Sequence, residues 1–191
     1  MKTKRIKSVI CLLLLNFTLF SLFSCGGKVG EDEALDIAND LILRAYVLNV
    51  VCYGEGLEAD EELFPDDTRK YAYVSENAPF QTKSELENEL YDVFSADLAE
   101  NMYEICFSGQ QGIASGTGNY ARYTYYSDEE FLKVYKYIEG FKIGVPDTTK
   151  TTITKIKSKK IIGVITYQDG ESVEFTLKKE KNNWKLDTLT F

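Results

Sequence analysis

Ile161-Ile162-Gly163-Val164-Ile165-Thr166-Tyr167-Gln168-Asp169-Gly170-Glu171-Ser172-Val173-Glu174-Phe175-Thr176-Leu177 decides the architecture of this chain. Ile161, Gly163, Ile165 and Tyr167 alternate against Ile162 and Val164, a period of two that marks a strand. Asp169-Gly170 is a strong hairpin turn, and Val173, Phe175 and Leu177 mark the returning strand. The pattern extends both ways. Thr149 to Lys159 is β-branched and basic, and Asn182-Asn183 turns into a last strand opening at Trp184. There the apolar parity slips between Leu186 and Leu189, which predicts a bulge or a strand buried on both faces at its end.

Upstream the period lengthens. Leu35, Ala38, Leu41/Ile42, Ala45, Leu48 and Val51/Cys52 recur at three and four, predicting a helix from Glu31 to about Tyr53 that Gly54 and Gly56 stop. Glu31, Asp32 and Glu33 suit its N-terminal dipole. Thr82-Lys83-Ser84-Glu85 is a capping box for a second helix carrying Leu86, Leu90, Val93 and Phe94. Ser95 is placed to cap a third, with Leu98, Met102 and Ile105/Cys106 as its stripe and Gly109 as its stop. Tyr71 to Val74 suits a short strand or an extended crossing segment, and residues 120 to 126 a Tyr-rich strand. After Ser127-Asp128-Glu129-Glu130, which resembles another capping box, Leu132, Val134 and Ile138 fit a helix or a strand equally. Helices first and a meander of strands last predict an α+β fold: N-terminal helices packed on a curved antiparallel sheet of about four strands, in one domain spanning 31–191.

The N-terminus reads differently. Lys2, Lys4, Arg5 and Lys7 precede an apolar run from Val9 to Phe23, 15 residues long, short of the ~20 a membrane span needs. Leu22-Phe23-Ser24-Cys25-Gly26-Gly27 closes it. This stretch resembles the lipobox of bacterial lipoproteins. The resemblance implies a signal peptide over 1–24 and a diacylglycerol thioether on Cys25, which becomes the mature N-terminus; the alternative is an uncleaved anchor helix. Residues 25–30 then form a tether reaching roughly 12–14 Å, which sets the domain against the cell membrane, facing outside the cytoplasm. Its single basic residue, Lys28, makes no polybasic second anchor.

Composition narrows function. With the signal removed the net charge is −12, and a nucleic-acid partner is excluded on charge. There is no histidine, which removes Ser-His-Asp and Cys-His catalysis and His-ligated zinc. No Ser stands three before a Lys, Gly112 to Gly116 is one residue out of register for a nucleophile elbow, and no Lys-Ser/Thr follows the Gly-rich run 109–118. That loop reads as a plain connection. The acidic stretch Asp60 to Asp67 lacks the spacing of a calcium loop. No metal or cofactor is expected. Acidic pairs that can serve glycoside hydrolysis are unspecific among 30 acids.

Three residue groups remain. Cys52 and Cys106 are either two buried thiols or a bridge closing 54 residues, which adds on the order of 4 kcal/mol on the loop-entropy account. Lys155, Lys157, Lys159 and Lys160 either guard a strand edge or form an anion-docking cluster for a partner such as wall polymer. Tyr71, Tyr73, Tyr123, Tyr125, Tyr135, Tyr137 and Trp184 either pack across strands or form a binding face. Charge divides unevenly, −16 over residues 31–104 and +3 over 105–191.

The element order, with a tryptophan opening the final strand, resembles the nuclear transport factor two-like (cystatin-like) superfamily. Tyr71-Ala72-Tyr73-Val74, Thr82-Lys83-Ser84-Glu85-Leu86, Val93 to Glu100, Val173 to Leu177 and Trp184-Lys185-Leu186 resemble the bacterial DL-endopeptidase inhibitor family, which blocks cell-wall hydrolases. The resemblance implies a non-catalytic binding module whose partner is an envelope protein such as a peptidoglycan hydrolase. A small-ligand carrier using the sheet's interior is the first alternative; a carboxylate- or tyrosine-based enzyme is the second.

Overall fold

A computed structural model describes residues 29–60, 71–108, 121–125, 131–135 and 140–190. The signal and Cys25, the acidic stretch 61–70, the Gly-rich loop, Ser127 and Tyr137 lie outside the described residues. The elements run α1 (Glu31–Cys52), β1 (Tyr71–Tyr73), α2 (Lys83–Val93), α3 (Ala96–Phe107), β2 (Tyr123–Tyr125), β3 (Leu132–Tyr135), β4 (Pro146–Lys157), β5 (Lys160–Tyr167), β6 (Ser172–Glu180) and β7 (Asn183–Leu186). The fold is α+β, with α1 packed against the sheet.

The predicted meander is present as an antiparallel sheet in the order β4-β5-β6-β7. Gly170 takes φ +93° in the β5–β6 turn, and the Asp169 carboxylate accepts from the Glu171 amide at 3.1 Å. The inner face of this sheet is filled rather than hollow: Ile161, Ile165, Phe175, Leu177 and Leu186 are fully buried in one cluster with Ala38, Leu48 and Leu90 of the helices. A second sheet, not anticipated from the sequence, has the order β1-β3-β2. β3 settles the ambiguous element as a strand. It sits centrally, pairs on both edges and is buried at all four positions, so its apolar residues carried no face preference to read.

Two details refine the expectation. β7 has no bulge but is buried on both faces at its end, at Lys185 and Leu186; Leu189 packs on the core from the irregular tail, and the register shifts fall in β4. Ser95 stands at the N-cap of α3 but its hydroxyl makes no capping hydrogen bond, whereas Thr82 and Glu85 form the full capping box of α2. The Glu85 carboxylate accepts from the Thr82 amide at 3.1 Å, and Thr82 Oγ1 accepts from the Glu85 amide at 3.2 Å.

A candidate binding surface

The three-stranded sheet meets the C-terminal ends of α1 and α3. Phe107, the last residue of α3, lies 6.2 Å from the ring of Tyr123 and 6.1 Å from that of Tyr125. These two tyrosines are two apart on β2, yet their surroundings differ. Tyr123 is fully buried: its hydroxyl donates to the Val51 carbonyl at 2.8 Å and accepts from the Leu57 amide at 3.0 Å. Burial pushes its phenol well above the usual range. It is a core strut and no part of a surface. Tyr125, one strand position pair further out, is 39% exposed.

Around Tyr125 an aromatic and charged patch assembles from three elements. Lys83 Nζ, at the start of α2, stands 4.8 Å from the Tyr125 ring centre and 5.4 Å from that of Tyr103 on α3. Such placements stabilise by about 0.5–1 kcal/mol at exposed sites. Tyr103 packs on Phe107 with ring centres 4.8 Å apart. A hydrogen bond with Tyr103 is the main reason the Lys83 ammonium titrates above its ordinary value. Phe131, paired with Thr82 in an isolated bridge, is 51% exposed. Further along the helix pair Lys83 meets Glu87 at 3.4 Å, and the Tyr91 hydroxyl donates to Glu100. That carboxylate, with some burial, pushes the Tyr91 phenol up to about 12, which unsuits it as a base at neutral pH.

The other predicted residues separate. Tyr71 and Tyr135 face each other edge-on at 5.5 Å, and the Tyr71 hydroxyl donates to the Ala121 carbonyl at 2.8 Å. Lys133 lies 4.3 Å above its cross-strand neighbour Tyr73. These are cross-strand pairs of the small sheet. Trp184 is on the other sheet, half-buried, with Lys179 Nζ 5.6 Å from its ring. Tyrosine count alone gave no means of sorting Tyr125 from these. The signal that was available lies in helical spacing: Lys83, Glu87 and Tyr91 recur every fourth residue on α2, and Glu100, Tyr103 and Phe107 line α3.

The four lysines sit exposed about the β4–β5 turn, and register extends their row. Lys157 opposes Lys160, Lys160 opposes Lys178, and Lys178 opposes Lys185. Lys178 is neutralised by Glu180 at 3.1 Å, and Lys185 donates to the Tyr91 carbonyl at 2.8 Å. Cys52 and Cys106 are free, fully buried thiols. Burial first, and the Cys52 thiol second, push Cys106 well above its usual range.

No family model matches the chain, and no curated protein matches it.

On the flank of α1 a cleft of about 260 Å³ is lined mainly by apolar side chains, among them Tyr46, Val47, Val50, Leu57 and Pro79. It lies away from the inner face of the larger sheet. Among the described residues no group of three or more Cys, Asp and Glu is placed to hold a metal ion, and no helix is long and apolar enough to cross a membrane.

Proposed function

We propose that this protein is a lipid-anchored, extracytoplasmic, non-catalytic binding module that engages an envelope protein, a cell-wall hydrolase on the family resemblance, through the patch around Tyr125. One observation carries the reading. Tyr125, under Lys83 Nζ, and Phe131, bridged to the neighbouring Thr82, keep 39% and 51% of their surface in water, although aromatic side chains normally gain by burial. Protein interfaces are enriched in such aromatic anchors with a charged rim. The anchor at Cys25 supplies the location, holding the patch near the membrane where wall hydrolases act.

The test is inhibition. The full chain, reconstituted in vesicles, is added to peptidoglycan hydrolases of the same organism, alongside Tyr125→Ser and Phe131→Ser. The expected result is saturable inhibition that weakens about 30-fold or more in each variant, the effect of losing a buried aromatic anchor worth ~2 kcal/mol. Equal potency of all three proteins overturns the surface, and no inhibition of any hydrolase overturns the partner.

A carrier of small apolar molecules is the second reading, favoured by the α1 cleft. At about 260 Å³ it is smaller than the ~300–1,000 Å³ usual for ligand pockets, and it ranks below the binding module for that reason.

A further inference from the structure

Cys52 closes α1 and Cys106 is the penultimate residue of α3, and the two helix ends converge on Tyr123, whose hydroxyl donates to the Val51 carbonyl at 2.8 Å and whose ring centre lies 6.2 Å from that of Phe107. Neither residue exposes any surface. Both thiols lie in one buried core cluster with Tyr53 and Tyr123, and the Cys52 thiol is a secondary cause of the upward shift of Cys106, after burial. As free thiols the two would act here only as small apolar side chains. The chain has only two other cysteines, Cys11 and Cys25, both within the N-terminal segment read as signal and lipid site. The pair in the domain is therefore without a competitor once that segment is processed.

We propose that Cys52 and Cys106 are joined by a disulfide in the working protein, tying the end of α1 to the end of α3. The proposal rests on the reading that the chain acts outside the cytoplasm, where thiols are oxidised. The oxidant is an external disulfide, carried by a thiol–disulfide oxidoreductase or by a small molecule. One cysteine, as its thiolate, attacks a sulfur of that disulfide; a mixed disulfide forms and one external thiolate leaves. The second cysteine, deprotonated in turn, attacks the mixed disulfide at the protein sulfur. The Sγ–Sγ bond forms and the second external thiolate departs. The two protein thiols have lost two electrons and two protons, and the external disulfide has become two thiols.

Timing follows from burial. In the folded chain neither sulfur can be reached, and the Cys106 thiol is held protonated. Exchange takes place before α3 docks against α1, and the finished bridge is sealed from reductants. The enclosed loop of 54 residues contains β1, α2 and nearly all of α3, hence Lys83 and Tyr103 of the aromatic patch.

The experiment has two arms on the full chain. In the first, protein from the organism's own envelope is acid-quenched, denatured, alkylated and mapped by peptide mass. A linked pair of peptides containing Cys52 and Cys106, unalkylated and lighter by two hydrogens than the reduced pair, is the expected result. In the second, reduced and denatured chain is refolded with oxidised glutathione and mapped in the same way. A linked pair in both arms, with a denaturation midpoint that falls on reduction in the native chain but not in Cys106→Ala, supports the bridge. Alkylated cysteines in both arms overturn the geometry. A linked pair after refolding but free thiols in the envelope sample overturns the bridge in the working protein through its compartment, with the geometry intact.

Discussion

Arg122 Nη1 donates to the Gly54 carbonyl at 2.7 Å and approaches the Val51 carbonyl at 3.4 Å, from a side chain that is 2% exposed. The last turn of α1 contains no basic residue of its own. A guanidinium from β2's leading edge therefore meets the negative end of the helix dipole and the carbonyls that the helix leaves open. Arg122→Met removes a charged hydrogen bond and leaves the Gly54 carbonyl buried without this donor. The expected loss is about 2–3 kcal/mol in urea unfolding. Arg122→Lys, lacking the forked geometry, should recover less than half of it.

The two helix starts give opposite expectations for similar substitutions. Thr82→Ala breaks the capping box of α2 and should cost about 1 kcal/mol. Ser95→Ala removes a hydroxyl that is buried without a hydrogen-bond partner, so stability should stay level or rise by a few tenths of a kcal/mol. Paired denaturant curves on the two variants decide this. A larger loss for Ser95→Ala than for Thr82→Ala would contradict the assignment of the caps.

Gly163 on β5 opposes Phe175 on β6, and the phenyl ring lies over the space a side chain would take. A Cβ at this position would stand 2.4 Å from Phe175 Cζ and 2.5 Å from the Thr152 carbonyl oxygen. Backbone on one side and a fully buried ring on the other leave no room to yield. Gly163→Ala should destabilise by about 1–3 kcal/mol, and Phe175→Leu in the same chain should relieve part of that.

Alkaline pH should unfold this protein through its tyrosines. Burial is the leading cause that raises the phenols of Tyr53, Tyr71, Tyr123 and Tyr167, and the Glu100 hydrogen bond leads for Tyr91. In each case the unfolded chain loses its proton near the ordinary value of about 10 while the folded chain keeps it. The stability these groups contribute is whole below that pH and is lost as pH rises toward the folded values, up to about 12 for Tyr91. Tyrosinate absorbance and circular dichroism, followed together from pH 9 upward, should change in one cooperative step. A smooth titration of all tyrosines around pH 10 with the fold intact would contradict the packing.

The larger sheet and α2 could be read from the sequence because each carries a local signal. β5 and β6 have one wet and one dry face, so period two survives, and Thr82 and Glu85 satisfy each other within one turn. The smaller sheet could be read only in part: β1 and β2 fall where a short strand and a Tyr-rich strand were expected, but β3 is dry on both faces and shows no period that separates strand from helix, and nothing local pairs the three. The patch around Tyr125 escaped for a related reason. Lys83, Tyr103 and Phe131 come from three separate segments, and whether a tyrosine on β2 faces water depends on which helix end covers it. Tyr123 lies under the ends of α1 and α3; Tyr125 lies just beyond them.

The larger sheet's two outer strands are closed in different ways. Along β7, Phe94 forms a parallel bridge to Leu186, and the Ser95 amide donates to the Leu186 carbonyl at 2.9 Å, so the corner between α2 and α3 covers that margin. Along β4 the chain begins at Pro146, shifts register twice and carries Lys150, Lys155 and Lys157. A strand from a neighbouring copy finds no flat, unpaired ladder on either side. Molecules crowded together at high local density should therefore remain separate, and resistance to fibrillar aggregation is built into the margins of the sheet.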